Sequence, residues 1–269
     1  MNAEATNHVG RLSRQQERQR AISEMVMAEG AVRIEQLAER FGTSQMTVHR
    51  DLDELEARGL LRKSRGMATA LSSSLVESSD VYRAGQQQEA KKDIAHSALD
   101  FLEPGQAVFL DDSTTVLQVA KLLPLRAPLT VITNVFTILE ELKGVRGISL
   151  IALGGSYYNW CSSFMGGMTT EAIRKLRADV YIMSTAAITD DTCFFQSQAT
   201  VDIKRAMFDS SAKRILLADH TKFDKRALYA LAPLADFDAV IVDAKTRPDD
   251  IRRLEAQGVP VVVAHPARS

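Results

Sequence analysis

Residues 33–66 read RIEQLAERFGTSQMTVHRDLDELEARGLLRKSRG, and this stretch decides the fold of the first quarter of the chain. Ile34, Leu37, Ala38 and Phe41 recur at helical spacing and Gly42 stops the run, which predicts a short helix. Thr43 and Ser44 then offer capping hydroxyls for a second helix over 45–58, with the apolar stripe Val48, Leu52 and Leu55 and a stop at Gly59. On the N-terminal side, residues 18–28 carry Ile22, Met25 and Val26 on one helical face and end at Gly30. On the C-terminal side, Leu60-Leu61-Arg62-Lys63-Ser64-Arg65-Gly66 has the composition of a short basic hairpin. A helix, a pair of helices joined by a Gly-containing turn, and a basic hairpin make the pattern of a winged helix-turn-helix.

The physics of groove reading then assigns roles. The N-terminal turns of the last helix enter the major groove, so Ser44, Gln45, Met46, Thr47, His49 and Arg50 are the candidates for contact with double-stranded DNA. Arg62, Lys63 and Arg65 on the wing would grip phosphates without reading sequence. Asp51, Asp53, Glu54 and Glu56 follow directly, and a phosphate backbone would repel them. They must point away from DNA or pair with neighbours such as Arg50 and Arg58. The alternative is a three-helix module for protein contact, its charges forming a solvated face.

Bulk composition bounds the rest. The chain has 269 residues, enough for a small module plus a medium domain, and 45% hydrophobic residues, enough to bury a core. With 33 basic and 34 acidic residues the net charge is −1, so a DNA-binding case rests on local patterning alone. Cys161 and Cys193 form no CxxC pair and the five histidines are dispersed, so neither a disulfide framework nor a metal site is expected, and no cofactor. The polar first twenty residues and the lack of a run of about 20 apolar residues lead to the expectation of a cytoplasmic protein with no membrane partner.

Beyond residue 71 the composition turns Ser-rich and polar over 72–89, which reads as a linker with a short helix near 76–83. The division predicted is 14–71, 72–89 and 90–269. In the last region, apolar runs at 107–110, 129–133, 148–153, 180–184, 214–218, 239–242 and 259–263 alternate with amphipathic stretches. Such alternation predicts a Rossmann-like α/β domain, a mainly parallel sheet covered by helices on both faces. Open sheets of this kind hold ligands beyond the carboxyl ends of their strands. Polar residues gather there: Asp111-Asp112-Ser113-Thr114-Thr115, Thr133-Asn134, Gly154-Gly155, Asp202 with Lys204 at a helix start, and Asp219-His220-Thr221-Lys222-Phe223. Hydroxyls and amides opening the helix over 116–123 suit an anion, though simple capping by Asp and Ser is the alternative. The Gly pair either lets a ligand approach or forms a tight turn.

The 33–66 string resembles the DeoR family of bacterial sugar-metabolism regulators. So do VFLDDSTT (108–115), VITN (131–134), LGG (153–155), DIKRAMF (202–208) and LADHTKF (217–223), so that the resemblance covers residues 14–244. It implies a sensor domain similar in fold to ribose-phosphate isomerases that binds a phosphorylated sugar and thereby alters DNA affinity. Carried over by position, Ser113, Thr114 and Thr115 would hold the phosphate, and Thr133, Asn134, Gly154 and Gly155 would line the pocket. Lys204 and Lys222 would supply charge, with Asp219 orienting hydroxyls; Asp112 would face away or bind sugar hydroxyls, and Asp202, in place of a longer glutamate, stands with the effector-binding residues. Departures stand out. The family's paired arginines are His49 and Arg50, and its His-Gly-Gly after the wing reads Arg65-Gly66-Met67 behind Ser64. Its Asp-Ser-Gly-Thr-Thr is Asp111-Asp112-Ser113-Thr114-Thr115, and its Ser-x-x-Gly-Ile ends in Ala187-Ile188. The implied function is a repressor of a sugar or polyol operon, acting as a dimer or tetramer on paired half-sites. An isomerase-like enzyme, using Asp202, Lys204, Asp219 and Lys222, and an architectural DNA binder are the alternatives. Trp160 and Cys161 are read as a pocket lid, a subunit contact or plain packing, and Cys193 as an inert thiol.

Overall fold

A computed structural model describes residues 14–57, 61–70 and 80–266. The chain divides into two compact units, Met1–Leu71 and Ser72–Ser269.

In the first unit, α1 (Arg14–Glu29) leads into β1 (Ala31–Arg33), α2 (Ile34–Arg40), α3 (Gln45–Ala57) and the hairpin β2 (Leu61–Ser64) and β3 (Met67–Ala70). The predicted stripes form its core: Ile22, Val26, Leu37, Val48, Leu52 and Leu55 are buried, with Val32, Leu61 and Ala68 added from the strands. Gly42 takes a left-handed φ of 57° in the α2–α3 turn, which explains the glycine there. The predicted end of α3 at Arg58 and Gly59 lies outside the described residues. The hairpin turns on Arg65 (φ 48°) and Gly66 (φ 77°), the two-residue geometry that suits the twist of antiparallel strands. Sequence patterning missed β1, which joins the sheet beside β3 in the order β1-β3-β2.

The second unit contains α4 (Asp80–Ala84), α5 (Gln88–Ala98), β4 (Ala107–Leu110), α6 (Thr114–Leu122), β5 (Leu129–Thr133), α7 (Phe136–Leu142) and β6 (Ile148–Ala152). A hairpin, β7 (Ser156–Tyr158) and β8 (Ser163–Met165), precedes α8 (Gly167–Arg174) and β9 (Ala178–Ser184). The remainder is β10 (Ala187–Thr189), β11 (Thr192–Phe195), α9 (Gln198–Asp209), β12 (Ser211–Ala218), β13 (Tyr229–Pro233), β14 (Ala239–Val242), α10 (Pro248–Ala256) and β15 (Val261–Val263). Residues 80–89, read from composition as linker, are thus mostly helical, while 72–79 lie outside the described residues.

Seven strands form one parallel sheet in the order β15-β14-β12-β9-β4-β5-β6. Alternate residues feed two cores. Val108, Leu110, Val180 and Ile182 pack on the face covered by α5, α6 and α7, and Phe109, Tyr181 and Met183 on the face covered by α8, α9 and α10. Burial on both faces explains why these strands are near-continuous apolar runs. A small antiparallel sheet, β10-β11-β13, was not foreseen. Strand order runs outward one way from β4 to β6 and the other way from β9 to β15, so the direction reverses between β4 and β9. A crevice opens beyond strand ends at such a point.

Candidate functional site

In the first unit, the start of α3 is held by Ser44, whose Oγ accepts from Thr47 N at 3.2 Å and lies 3.0 Å from Thr47 Oγ1. Gln45, Met46 and Arg50 are exposed, and Thr47 and His49 half-buried. Met46 is 65% exposed, so it does not serve the core. All four carboxylates further along α3 are turned to the module itself. Asp51 is buried, accepting from Arg18 Nε at 2.6 Å and Gln19 Nε2 at 3.1 Å. Glu54 accepts from Gln15 at 3.0 Å, Asp53 pairs with Lys63, and Glu56 accepts from Lys63 N at 3.0 Å. The expected partner Arg50 is not used, and Arg58 lies outside the described residues. Lys63 therefore differs from Arg62 and Arg65: its ammonium is already held by Asp53, whereas the two arginines are exposed. The result, among the described residues, is a helix start and a wing tip free of acidic groups, beside a carboxylate-rich half tied to α1 and β2.

In the second unit, the β4–α6 loop sits at the reversal point. Asp111 bridges the two central strands, its Oδ2 accepting from Ser184 N at 3.2 Å and its Oδ1 from Ser113 N at 2.9 Å. Lys204 reaches this loop from the middle of α9, not from a helix start as predicted. Its Nζ lies 2.5 Å from Asp111 Oδ2 and 2.7 Å from Asp112 Oδ1, all three side chains being buried. Burial works to neutralise Lys204, but Asp111 and Asp112 outweigh it and hold its pKa above the ordinary value. Lys204 is thus bound to two carboxylates, and the role of charge donor to an anion, expected from the sequence, does not fit it. Burial raises the Asp111 pKa, with Asp112 adding to the effect, while Asp112 itself is lowered because Lys204 and Arg83 overcome its burial. Asp202 is brought nowhere near this cluster. Two positions before Lys204, it points to the exposed side of α9, where Gln198 Nε2 donates to it at 2.8 Å.

The cationic end of the crevice lies elsewhere and includes residues that sequence reasoning missed. Lys91, on the inner face of α5, is only 4% exposed. Its ammonium donates to Thr114 Oγ1 at 2.9 Å and to the Arg83 carbonyl, both neutral acceptors. Burial, then Lys222, Arg83 and Lys225, push the Lys91 pKa down from 10.5 to about 7, with Asp219 acting in opposition. Lys222 lies 3.8 Å from Asp219. Burial works to raise Asp219, but Lys222, two bonds from Thr221 and Lys225 hold it below the usual carboxylate range. Lys222, Arg83 and Lys225 thus all act on Lys91, which itself meets the opening turn of α6 at Thr114. Ser113 makes no side-chain cap there, so the capping alternative loses its main support. A cavity of about 150 Å³ adjoins Thr114, walled by Asp80 and Ala84 of α4, by Asp112 and Ser113, and by Cys161.

Other sequence-predicted positions serve the scaffold. Thr133 is fully buried, donates to Leu110 O at 2.8 Å and accepts from Val135 N at 3.1 Å. Asn134 donates to Phe164 O at 2.7 Å, leaving Oδ1 buried with no donor among the described residues. Thr115 is buried in the first turn of α6. At Gly155 a Cβ would lie 2.2 Å from Thr169 Oγ1 and 2.7 Å from Met165 O, so the absent side chain admits the protein's own atoms. Thr169 Oγ1 also donates to Gly154 O at 2.8 Å, which makes the Gly pair a packing device. Cys193 is fully buried and its thiol is pushed up to about 12 by that burial, so it is inert.

Comparison with known proteins bears on both halves. A model of the DeoR-like helix-turn-helix domain matches residues 18–74, and one of the DeoR C terminal sensor domain matches residues 86–244. The chain belongs to the DeoR family. Among similar DeoR proteins is the transcriptional repressor AccR of Agrobacterium fabrum, 35% identical over 86% of this chain and 91% of the relative. The glycerol-3-phosphate regulon repressor of Escherichia coli is 31% identical over 86% and 92%, and the lactose phosphotransferase system repressor of Lactococcus lactis 28% over 86% and 91%. Among solved structures, ribose 5-phosphate isomerase A of Methanocaldococcus jannaschii is 12% identical, covering 51% of this chain and 55% of that one at a TM-score of 0.39. Of the departures from the DeoR pattern, two fall in the sensor domain. Asp112 lines the cavity, and Ala187, buried at the start of β10, has its carbonyl held by Thr185 Oγ1 at 2.9 Å. Among the described residues, no helix is long and apolar enough to cross a membrane.

Proposed function

We propose that this DNA-binding regulator represses a sugar or polyol operon and releases its operator when a phosphorylated sugar metabolite binds in the crevice at the β4–β9 reversal. The observation that carries this reading is the buried Lys91 among Arg83, Lys222 and Lys225, beside the uncapped opening of α6. Amides at a helix start and neighbouring cations suit a phosphate dianion, and the Lys91 pKa is depressed first by burial and then by Lys222 and Arg83, a cost that a bound anion would offset. The phosphate lies at Thr114, Lys91 and Lys222. The hydroxyls face Asp112, Asp219 and the unfilled acceptor of Asn134. Names of the relatives, a glycerol-3-phosphate regulon repressor and a lactose phosphotransferase system repressor, support a phosphorylated effector.

On the DNA side, Gln45, Met46, Thr47, His49 and Arg50 read base edges, Met46 offering an apolar contact for a thymine methyl. Arg62 and Arg65 grip phosphates, while Lys63 contributes only by leaving Asp53. One such helix offers too little specificity, so the protein acts as a homo-oligomer on paired half-sites. It acts by binding and performs no catalysis.

The test is a melting and gel-shift series on the full chain with a duplex from its own promoter region. Glycerol 3-phosphate, ribose 5-phosphate and fructose 6-phosphate are compared with free glycerol. A phosphorylated compound should raise the melting temperature and release the duplex, and free glycerol should do neither. Equal response to the unphosphorylated polyol would refute the phosphate reading, and turnover of ribose 5-phosphate would replace it with an enzymatic one.

A further inference from the structure

Strand β6 ends the seven-stranded sheet, and its outer edge meets no other strand of the described residues. The ladder to β5 fixes which of its backbone groups are open. Leu129 N donates to Gly147 O at 3.0 Å and Leu153 N to Thr133 O at 2.9 Å, with Leu129 in register with Ile148 and Thr133 with Ala152. In a parallel ladder, alternate residues turn both backbone groups to the same neighbour. Ser149 and Ile151 therefore face β5, while Leu150 and Ala152 turn their N–H and C=O outward, together with the Ile148 carbonyl. The Ile148 N–H is taken by Val145 O at 3.2 Å.

Edge strands are ordinarily guarded by charge, proline or brevity. The other edge of this sheet is guarded in that way: β15 has three residues and stands between Pro260 and Pro266. Strand β6 has five residues, ISLIA, and none of these devices. None of residues 147–170 is charged, nor any of 127–139, in a chain with 25% charged residues. These segments supply β5, β6, the β7–β8 hairpin and the start of α7. They expose large apolar side chains: Phe136, Ile151, Tyr157 and Tyr158 are each 37–46% exposed. The Tyr157 ring meets Phe136 edge-to-face at 6.2 Å between centroids and lies 5.3 Å from Phe164, so the rings form one group.

Without a cation, this surface offers nothing to nucleic acid or to an anionic membrane. It suits a neutral partner that brings a strand edge of its own, and a second copy of the chain brings both. A two-fold axis through Leu150 makes the edge its own complement. Leu150 then exchanges both backbone bonds with its copy, and the Ala152 N–H reaches the copy's Ile148 carbonyl, the group that Val145 leaves open. No charge is brought against its like.

We infer that β6 is the subunit interface of the sensor: two copies of this chain join their β6 edges antiparallel about Leu150 into one continuous sheet and bury the aromatic groups at each end of the seam. This rests on the homo-oligomer reading given above and adds the surface and the register that form it.

Sedimentation equilibrium on the full chain tests the inference. The unmodified protein should sediment as a dimer or a larger even assembly, with the same mass at low and high salt, because the seam carries no charge. Ile151→Lys and Tyr157→Lys, both at exposed positions, should each halve that mass while still melting cooperatively. In the double variant Ser149→Cys/Ile151→Cys, oxidation should link two chains covalently. The two-fold sets position 149 of one copy opposite position 151 of the other, about 4.5 Å apart at Cα. Cys161 and Cys193 are buried and do not compete. Lysine variants that keep the unmodified mass overturn the inference and give the patch to another occupant, such as the chain's own first unit. An assembly that salt dissociates overturns it too, as does a cysteine pair that stays unlinked on oxidation, a result that needs no lysine variant to fold. A monomeric unmodified protein would reject the homo-oligomer reading itself. A salt-resistant assembly that the β6 variants leave untouched would reject this inference alone.

Discussion

Replacing Lys91 by methionine should stabilise the ligand-free protein at neutral pH and abolish its response to anions. The lysine is 4% exposed and its pKa falls from 10.5 to about 7. Between pH 7 and 10.5 the unfolded chain binds a proton at Lys91 that the folded chain has lost, so stability rises with pH across that window. Below pH 7 both states are charged and the whole penalty stands. The penalty is about 4 kcal/mol at pH 7 and about 1 kcal/mol at pH 10, since each tenfold change in the protonation equilibrium is worth about 1.4 kcal/mol. Methionine removes it but also deletes the bonds to Thr114 and the Arg83 carbonyl, together about 2 kcal/mol. The variant should therefore be about 2 kcal/mol more stable at pH 7, a rise of about 4–8 °C for a unit of this size. By pH 10 the order should reverse. Scanning calorimetry on the full chain at both pH values, following the transition that phosphate shifts, reads this directly. A variant that is less stable at pH 7 by an amount independent of pH would refute the reasoning, because Lys91 would then be an ordinary hydrogen-bonding residue.

Three further outcomes are expected. Arg50→Ala should weaken operator binding by roughly 10–100-fold in a fluorescence anisotropy titration while leaving the phosphate-induced melting shift intact, since Arg50 is exposed at the start of α3 and has no core role. Gly155→Ala should destabilise the sensor unit by about 3 kcal/mol in urea unfolding, because its Cβ meets Thr169 Oγ1 and the Met165 carbonyl, neither of which can retreat far. Asp112→Ser, which restores the residue usual in the family, should leave affinity for inorganic phosphate within about twofold by calorimetry and raise affinity for a bisphosphate on the order of tenfold, because the carboxylate faces the far end of the ligand.

The winged helix and the parallel sheet were legible because both rest on periodicity. Leu37, Val48 and Leu52 recur at helical intervals, and Val108–Leu110 or Val180–Ile182 are unbroken because both faces of the strand are covered. Strand β1 was not legible: Ala31-Val32-Arg33 is too short for a period, and pairing with β3 alone makes it a strand. The anion end was missed for a different reason. Lys91 and Lys92 are adjacent in an amphipathic helix and look alike as a solvated pair, yet Lys92 reaches Glu89 at the surface while Lys91 faces inward. The signal was present in spacing. Lys91, Ile94, Ala95 and Ala98 occupy one helical stripe, and a lysine on a buried stripe is a site candidate. Lys204 sits on the same kind of stripe with Val201 and Phe208, and both the residue pattern and the family resemblance point to it without revealing its two carboxylate partners.

Those partners explain how one crevice keeps opposite charges apart. Lys204 and Asp111 fasten the β4–α6 loop across the reversal point, just past the last paired residues of β4 and β9, Leu110 and Ile182. Asp112 lies on the acidic side of the crevice, where it shares Lys204 with Asp111, and Lys91 and Lys222 lie on the basic side. A ligand with a phosphate at one end and hydroxyls at the other satisfies both sides, whereas one anionic at both ends meets Asp112. In the family pattern a serine stands at position 112, so Lys204 would face Asp111 alone and the acidic side would carry no surplus. On the proposed reading, the substitution to Asp112 therefore leaves unchanged the anion end that Lys91 and Lys222 would supply. It narrows the choice of ligand at the far end, toward groups that donate hydrogen bonds to a carboxylate.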